Sequence, residues 1–267
     1  MSFAEDWLSL RERFDRAARS PLLIDRLAQR QWSPDGITVV DLGAGTGQLM
    51  HHLAPRLPAR QTWRLLDGDR SLLAAAAART PPRPVAHVET LQADLAPADL
   101  GELCADADLV VTTAFLDLVS AAWLDRLARA LARRRIPFYA ALSVDGRQRW
   151  SPPDPLDEAI EAAFAADQRR DKGFGPALGV AAPDAAAAAF RGQGYEVLDA
   201  RSDWHVDTAE QAMLQSCLAF QAEVARHVGV AGCRDWLARR TDQIEGGRAS
   251  LVVGHRDLLA LPRPTPS

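Results

Sequence analysis

Apolar residues Trp7, Leu10, Phe14 and Ala17/Ala18 recur at spacings of three and four, the period of an amphipathic helix. Ser20-Pro21 breaks that helix, a second is predicted from Pro21 to about Gln31, and Ser33-Pro34-Asp35-Gly36 is a cluster of turn formers. Beyond it the pattern changes to short, continuous apolar runs with β-branched residues. The run at 37–42 leads through Asp41 into a glycine-rich turn, and residues 48–57 read as helix. The alternation recurs without any repeat of the sequence itself: strands are predicted at 63–66, 85–91, 109–113 and 137–143, helices at 71–79, weakly at 97–103, and at 123–135. Near-continuous apolar strands alternating with helices imply a parallel sheet covered on both faces.

After the fifth strand the alternation is interrupted. Residues 145–183 carry Pro152, Pro153 and Pro155, a helical segment near 156–169 and the loop Asp171-Lys172-Gly173-Phe174-Gly175-Pro176. The carboxyl end of a strand is where α/β folds place elements that choose a substrate. A helix at 183–192, a strand at 195–200, a long helical stretch at 208–241 and a strand at 250–255 bring the sheet to seven strands.

Composition excludes several classes. The hydrophobic fraction of 48% and charged fraction of 25% are those of an ordinary soluble domain, not of a disordered or fibrous chain. With 35 acidic and 31 basic residues the net charge of -4 argues against a nucleic-acid footprint and favours a small partner. The basic run Arg133-Arg134-Arg135 closes a predicted helix, where cations complement its dipole. Lys172 is the only lysine; with the alanine runs at 74–78 and 185–189, that points to codon bias in a GC-rich bacterial genome. Cys104, Cys217 and Cys233 are widely spaced, which suggests buried thiols in a reducing compartment and neither a disulfide framework nor a zinc site. Neither a signal peptide nor a bilayer-spanning run is present, so a cytoplasmic location without membrane attachment is expected.

The chemistry is concentrated in Asp41-x-Gly43-x-Gly45-x-Gly47. Glycines let the chain turn tightly and a ligand approach the backbone, and the following helix start favours an anion. Gln48 stands where the dinucleotide fingerprint needs glycine or alanine, and the Gly-Lys-Ser/Thr ending of a phosphate loop is absent. An acid before the turn pairs better with an ammonium than with a pyrophosphate. A ligand carrying both an amine and a carboxylate satisfies both features.

Here the chain resembles the class I S-adenosylmethionine-dependent methyltransferases, over four successive strand-helix units. Val39-Val40-Asp41-Leu42-Gly43-Ala44-Gly45-Thr46-Gly47 is similar to that family's first motif. Leu65-Leu66-Asp67-Gly68-Asp69 resembles the second, whose acid holds the ribose hydroxyls, Gln92-Ala93-Asp94-Leu95 the third, at the adenine, and 106–113 the fourth. The resemblance implies a Rossmann-like fold with an antiparallel edge strand, S-adenosylmethionine as cofactor, and a cofactor site of Asp41, Gly43, Ala44, Gly45, Asp67, Gly68, Asp94, Leu95 and Thr113. The helix through Arg13–Arg19 is similar to one that closes over the cofactor, with Arg19 a candidate partner for its carboxylate. One domain over 1–267 is expected, with a helical lid at 1–35, a cofactor-binding half at 36–144, a substrate cap at 145–183 and the rest of the sheet at 184–267.

An activated sulfonium methyl needs an aligned acceptor and excluded water more than a strong acid or base. Thr113-Ala114-Phe115-Leu116-Asp117 lacks the Asn/Asp-Pro-Pro-Tyr/Phe pattern of enzymes that methylate nucleobase or glutamine amino groups. Candidates for the acceptor pocket are Asp117, Tyr139, Asp145, Arg147, Lys172 and the Trp204-His205 pair. Asp117 and His205 are the catalytic candidates, Tyr139 and Arg147 the substrate-binding ones, and no metal site is indicated. The reading is methyl transfer to an O or N atom of a small metabolite. Two alternatives stay open: a non-catalytic sensor or partner subunit binding S-adenosylmethionine or S-adenosylhomocysteine, and an enzyme using the cofactor's aminopropyl chain.

Overall fold

Burial on both sides makes the central strands what they are. In β1 (Ile37–Leu42) every residue but Thr38 is buried, and alternate side chains enter two different cores. Val40 and Leu42 pack with Trp123, Leu127 and Phe138, whereas Val39 packs with Leu23, Leu27, Leu49 and Leu65. The computed structural model describes residues 5–57 and 60–263; the outermost parts of the expected lid and of the C-terminal half, 1–4 and 264–267, lie outside them.

Strand β1 pairs in parallel with β2 (Gln61–Asp67) and β4 (Leu109–Thr113), β2 with β3 (Val85–Gln92), and β4 with β5 (Phe138–Ser151). Strand β8 (Ser250–Pro262) runs antiparallel between β5 and β6 (Tyr195–Arg201), giving the order β3-β2-β1-β4-β5-β8-β6. The sheet has eight strands because a short β7 (Trp204–Val206) pairs with the outer half of β8; three residues are too few for periodicity to reveal.

Helices α1 (Glu5–Ala18) and α2 (Pro21–Ala28) precede the sheet. Between the parallel strands run α3 (Gln48–Leu53), α4 (Arg70–Ala78), α5 (Leu100–Leu103) and α6 (Ala121–Arg134). Asp69 caps α4 by accepting from the Ser71 N–H at 2.8 Å, and Asp99 caps α5 from Gly101 at 2.9 Å. For α6 the cap is Ser120, not the nearby Asp117.

The largest departure from the sequence pattern lies beyond strand five. β5 does not stop near 143, nor does β8 stop at 255: the two pair from Phe138↔Ala260 to Ser151↔Ser250, with register shifts that carry their outer ends away from the sheet. These ends support α7 (Asp157–Gln168), α9 (Gln211–Val228) and α10 (Cys233–Glu245) over a third core containing Trp150, Ile160, Met213, Leu214, Trp236 and Leu251. The cap therefore draws on more of the chain than residues 145–183. The stretch 208–241 is two helices because α9 ends on Gly229 in the left-handed conformation (φ 79°), a common helix stop. Helix α8 (Ala182–Gly192) returns to the main sheet.

A buried carboxylate locks this junction. Asp257 accepts from the Ser20 N–H (2.8 Å), the Tyr139 hydroxyl (3.0 Å) and the Leu142 N–H (2.8 Å), tying the start of α2 to β5 and β8. Leu142 sits at φ 57°, in the left-handed region that a leucine avoids unless its surroundings hold it there.

Candidate functional site

Two adjoining cavities open along the carboxyl ends of the parallel strands. The first, about 760 Å3, is lined by Gly43, Ala44 and Gly45 after β1, Asp67 and Gly68 after β2, Asp94 and Leu95 after β3, and Thr113 to Phe115 after β4, and is roofed by Leu8, Arg11 and Asp15 of α1. Within it, Asp67 is the organising side chain. Its Oδ2 accepts from the Gly45 N–H at 2.8 Å and its Oδ1 from the Asp69 N–H at 2.9 Å. One carboxylate thus holds the turns after β1 and β2 in register and keeps lone pairs free for two more donors.

The glycines of the first turn have separable roles. A Cβ on Gly43 would lie 2.7 Å from the Phe115 ring, so packing and positive φ both call for glycine there; at Gly47 a Cβ would meet Leu65 at 3.3 Å, and the positive φ is the stronger reason. Gly45 meets only Leu8, at 3.6 Å, and keeps the cleft floor open. The turn offers fewer amides to an anion than its glycines suggest: Ala44 donates to Leu66 O, Gly45 to Asp67 and Gly47 to Ala44 O. Gln48, which excluded the dinucleotide pattern, donates to the Leu8 carbonyl at 2.7 Å and ties α1 to the turn.

Two residues expected at the cofactor lie beneath the cleft and do not line it. Asp41 is fully buried, both carboxylate oxygens lack a hydrogen-bond partner, and burial holds its carboxyl well above the usual range, with Arg19 offsetting part of the rise. Arg19, 4% exposed, reaches Thr113 Oγ1 at 3.3 Å. Their place in the structure is a buried support under the turn, because β1 is sealed on both faces. Gly43, Ala44, Gly45, Asp67, Gly68, Asp94, Leu95 and Thr113 do line the cleft.

The second cavity, about 1040 Å3, continues from the first past Arg11, Ala114, Leu118 and Lys172, which line both. Its walls come from α1, α7, α9 and the outer ends of β5 and β8. Asp117 faces this chamber with a buried Oδ1 that has no partner; burial raises its carboxyl above the usual range while Arg11 and Lys172 pull it back. Arg147 also lines it, with its guanidinium held by Asp145 and by Asp203 at 2.7 Å. Gly254 passes so close behind that a Cβ would sit 2.8 Å from Arg147 Cβ.

Tyr139 and His205 are corrected by the structure. Tyr139 is fully buried in the core with its hydroxyl on Asp257, so it does not reach the chamber. His205 is exposed, because strand alternation turns Trp204 and Val206 inward and the histidine out. Two histidines line the chamber, His227 and His255; His255 is 2% exposed, its Nδ1 donates to the Val253 carbonyl at 3.1 Å and its pKa is lowered to about 4 by burial and by Arg11.

Sequence reasoning also passed over Arg11. It pairs with Asp15 at 3.0 Å and lies 4.8 Å from the Trp204 ring, while Asp15 accepts from Trp204 Nε1 at 3.0 Å. The signal was present: Leu8, Arg11 and Asp15 fall at spacings of three and four on one helical face. Among the described residues, no group of three or more His, Cys, Asp and Glu side chains could hold a metal ion, and no helix is long and apolar enough to cross a membrane.

The residues present fit S-adenosylmethionine. Asp67 has acceptors to spare at the end of β2, Asp94 adds a carboxylate after β3, and the Gly45 floor would be filled by a side chain. Residues 39–134 match a family described as a methyltransferase domain. Comparison with curated proteins found no match. Among solved structures, a protein from Bacillus halodurans described as a putative methyltransferase is 12% identical, with a TM-score of 0.50 over 91% of this chain and 97% of that one, which supports the fold. The cyclopropane synthase MmaA2 of Mycobacterium tuberculosis is 13% identical (TM-score 0.42, 89% and 82% covered). Phosphoethanolamine N-methyltransferase 2 of Haemonchus contortus, in complex with S-adenosyl-L-methionine, is 13% identical (TM-score 0.44); 91% of this chain spans about half, 52%, of that one. That family match runs from β1 to α6, on this strand order and with Asp67 at the centre of the cleft, so this part of the chain is similar to a methyltransferase domain.

Proposed function

We propose that the protein transfers a methyl group to an O or N atom of a small metabolite bound in the chamber beside the cofactor cleft. The observation carrying this reading is the chamber itself: it joins the cleft at Ala114, Leu118 and Lys172 and is walled by Trp7, Phe164, Trp204 and Phe220. Concave sites that combine aromatic walls with convergent polar groups suit small ligands. When bound, S-adenosylmethionine supplies an activated methyl group. What remains for the protein is to position the acceptor, exclude water and accept a proton.

Asp67, Asp94 and the turn at Gly43–Gly45 hold the cofactor in this proposal, with α1 as the lid through Leu8 and Arg11. Asp117 orients the acceptor and takes its proton: its unpartnered Oδ1 is an acceptor awaiting a donor, and its raised pKa makes it a better base than an ordinary carboxylate. Arg147 shapes the wall, its charge already met by two acids.

The test is incubation with methyl-labelled cofactor and a fractionated metabolite extract. Label is expected in a small molecule, with S-adenosylhomocysteine formed in equal amount. Label in protein or nucleic acid alone, methylthioadenosine as the by-product, or binding without turnover would overturn the reading, the last two in favour of aminopropyl chemistry and of a sensor respectively.

A further inference from the structure

Every basic side chain among the 31 is arginine except Lys172. The loop presenting it is fastened on both sides. Asp171 Oδ1 accepts from the Gly173 N–H (2.7 Å) and the Gly175 N–H (3.0 Å), with both glycines at positive φ. Phe174 then meets Phe115 and Trp123 edge-on, at 5.4 and 5.8 Å between ring centroids. Lys172 is thereby held where the two cavities meet, its side chain only 14% exposed.

At this junction Lys172 shares its paired carboxylate with a second cation and also acts on the chamber's Asp117. Asp167 receives Arg170 at 3.0 Å and Lys172 at 3.5 Å, one carboxylate for two cations, and the Lys172 contact is the longer. Arg11 brings a third cation to the same junction, compensated by Asp15. An ammonium is a compact point charge with three donors, whereas a guanidinium is a wider, planar fork, so arginine here would replace lysine only in part. Across the chamber, Trp7 lies 6.1 Å from Trp204 and 5.0 Å from Phe220, an aromatic wall suited to a flat apolar body.

We propose that Lys172 is the acceptor-binding residue of the chamber and that the acceptor is an aromatic organic acid, its carboxylate on the Lys172 ammonium and its hydroxyl or amino donor on Asp117. This rests on the chamber being the acceptor site. Matched probes separate the two ideas: 4-hydroxyphenylacetate, its neutral amide and the cationic tyramine, titrated into the protein saturated with S-adenosylhomocysteine and followed by tryptophan fluorescence and calorimetry. The acid is expected to bind at least ~10-fold tighter than the amide, about 1.4 kcal/mol. Lys172→Met should erase that preference, Lys172→Arg should keep part of it, and Asp117→Asn should leave it intact. Because Lys172 carries the only side-chain amine, its acetylation, read by mass spectrometry, should slow when the acid is bound. Equal binding of acid and amide, tightest binding of tyramine, no binding of the acid at millimolar concentration, or an unchanged ratio in Lys172→Met overturns the proposal. Methyl transfer to a neutral metabolite that Lys172→Met leaves unimpaired would sink the anion subsite and spare the small-molecule reading; anion preference without transfer would do the reverse.

Discussion

Replacing Asp67 by alanine should weaken S-adenosylmethionine binding by roughly 150-fold, and the structure shows where that figure comes from. A carboxylate has about four acceptor positions. Gly45 and Asp69 occupy two of them through their N–H groups at 2.8 and 2.9 Å, which leaves one on each oxygen facing the cleft. In the proposed cofactor site, two ribose hydroxyls would fill these positions. Hydrogen bonds to a charged group contribute about 1.5–3 kcal/mol each. Asp67 is half-buried, so water partly replaces what the mutation removes, and the lower end applies: ~3 kcal/mol in all. Asp67→Asn keeps one acceptor oxygen and should lose about half as much, ~10-fold in Kd.

Calorimetric titration of S-adenosylmethionine and S-adenosylhomocysteine into wild type and both variants is the assay. Thermal denaturation of the free proteins controls for the loosened turn, since alanine also strands the Gly45 and Asp69 amides. The order alanine, asparagine, wild type in Kd is the signature of a shared acceptor. Affinity within threefold of wild type in Asp67→Ala would refute the assignment of the ribose to this carboxylate.

Three further outcomes follow from the same reasoning. Asp117→Asn should cut kcat while leaving cofactor Kd unchanged; in wild type, activity should fall as pH drops through the raised Asp117 pKa, and that acid limb should vanish in the variant. Asp41→Asn should raise Tm near neutral pH, because a carboxyl whose folded pKa lies above its unfolded one adds stability only below the unfolded value and loses it as pH rises through the folded one; the gain should shrink on acidification, and an unchanged Tm at pH 7 would contradict it. Tyr139→Phe should cost about 1 kcal/mol of stability by chemical denaturation, through the lost hydroxyl on Asp257, with kcat/KM unaffected.

How far the sequence could be read depends on the range of the forces involved. Strands β1 and β4 announce themselves because burial on both faces demands continuous apolar runs, whereas β3, at the sheet edge, has no buried residue; Asp67 ends β2 and Asp94 follows β3. Asp41 has the same local signature, yet its side chain lies beneath the turn; the choice between cleft and core depends on which face of β1 it occupies at the strand end, and a run apolar on both faces carries no such mark. His205 and His255 show the same limit at the single-residue level. Each is a lone histidine in a strand, and the pairing decides between them: His205 of β7 turns out to solvent, whereas His255, paired with Val144 of β5, comes to the chamber.

The acceptor chamber was less legible for a further reason: its walls come from residues 7–11, 114–118, 142–148, 164–172, 204, 217–227 and 253–255, brought together by the outward extension of β5 and β8 and by the third core beneath it. No local spacing encodes such an assembly, which is why Arg11 and Phe220 went unnoticed while Lys172 stood out through composition alone. The same separation has a consequence for specificity. Cleft residues after β1 to β3 are fixed by a network that closes on Asp67, whereas most of the chamber hangs on α7, α9 and the outer hairpin, which share no hydrogen bond with Asp67. Substitutions at Phe164 or Val224 should therefore change which acceptor is taken with little change in cofactor affinity, and Arg11 and Lys172, common to both cavities, are where the two sites would be expected to couple.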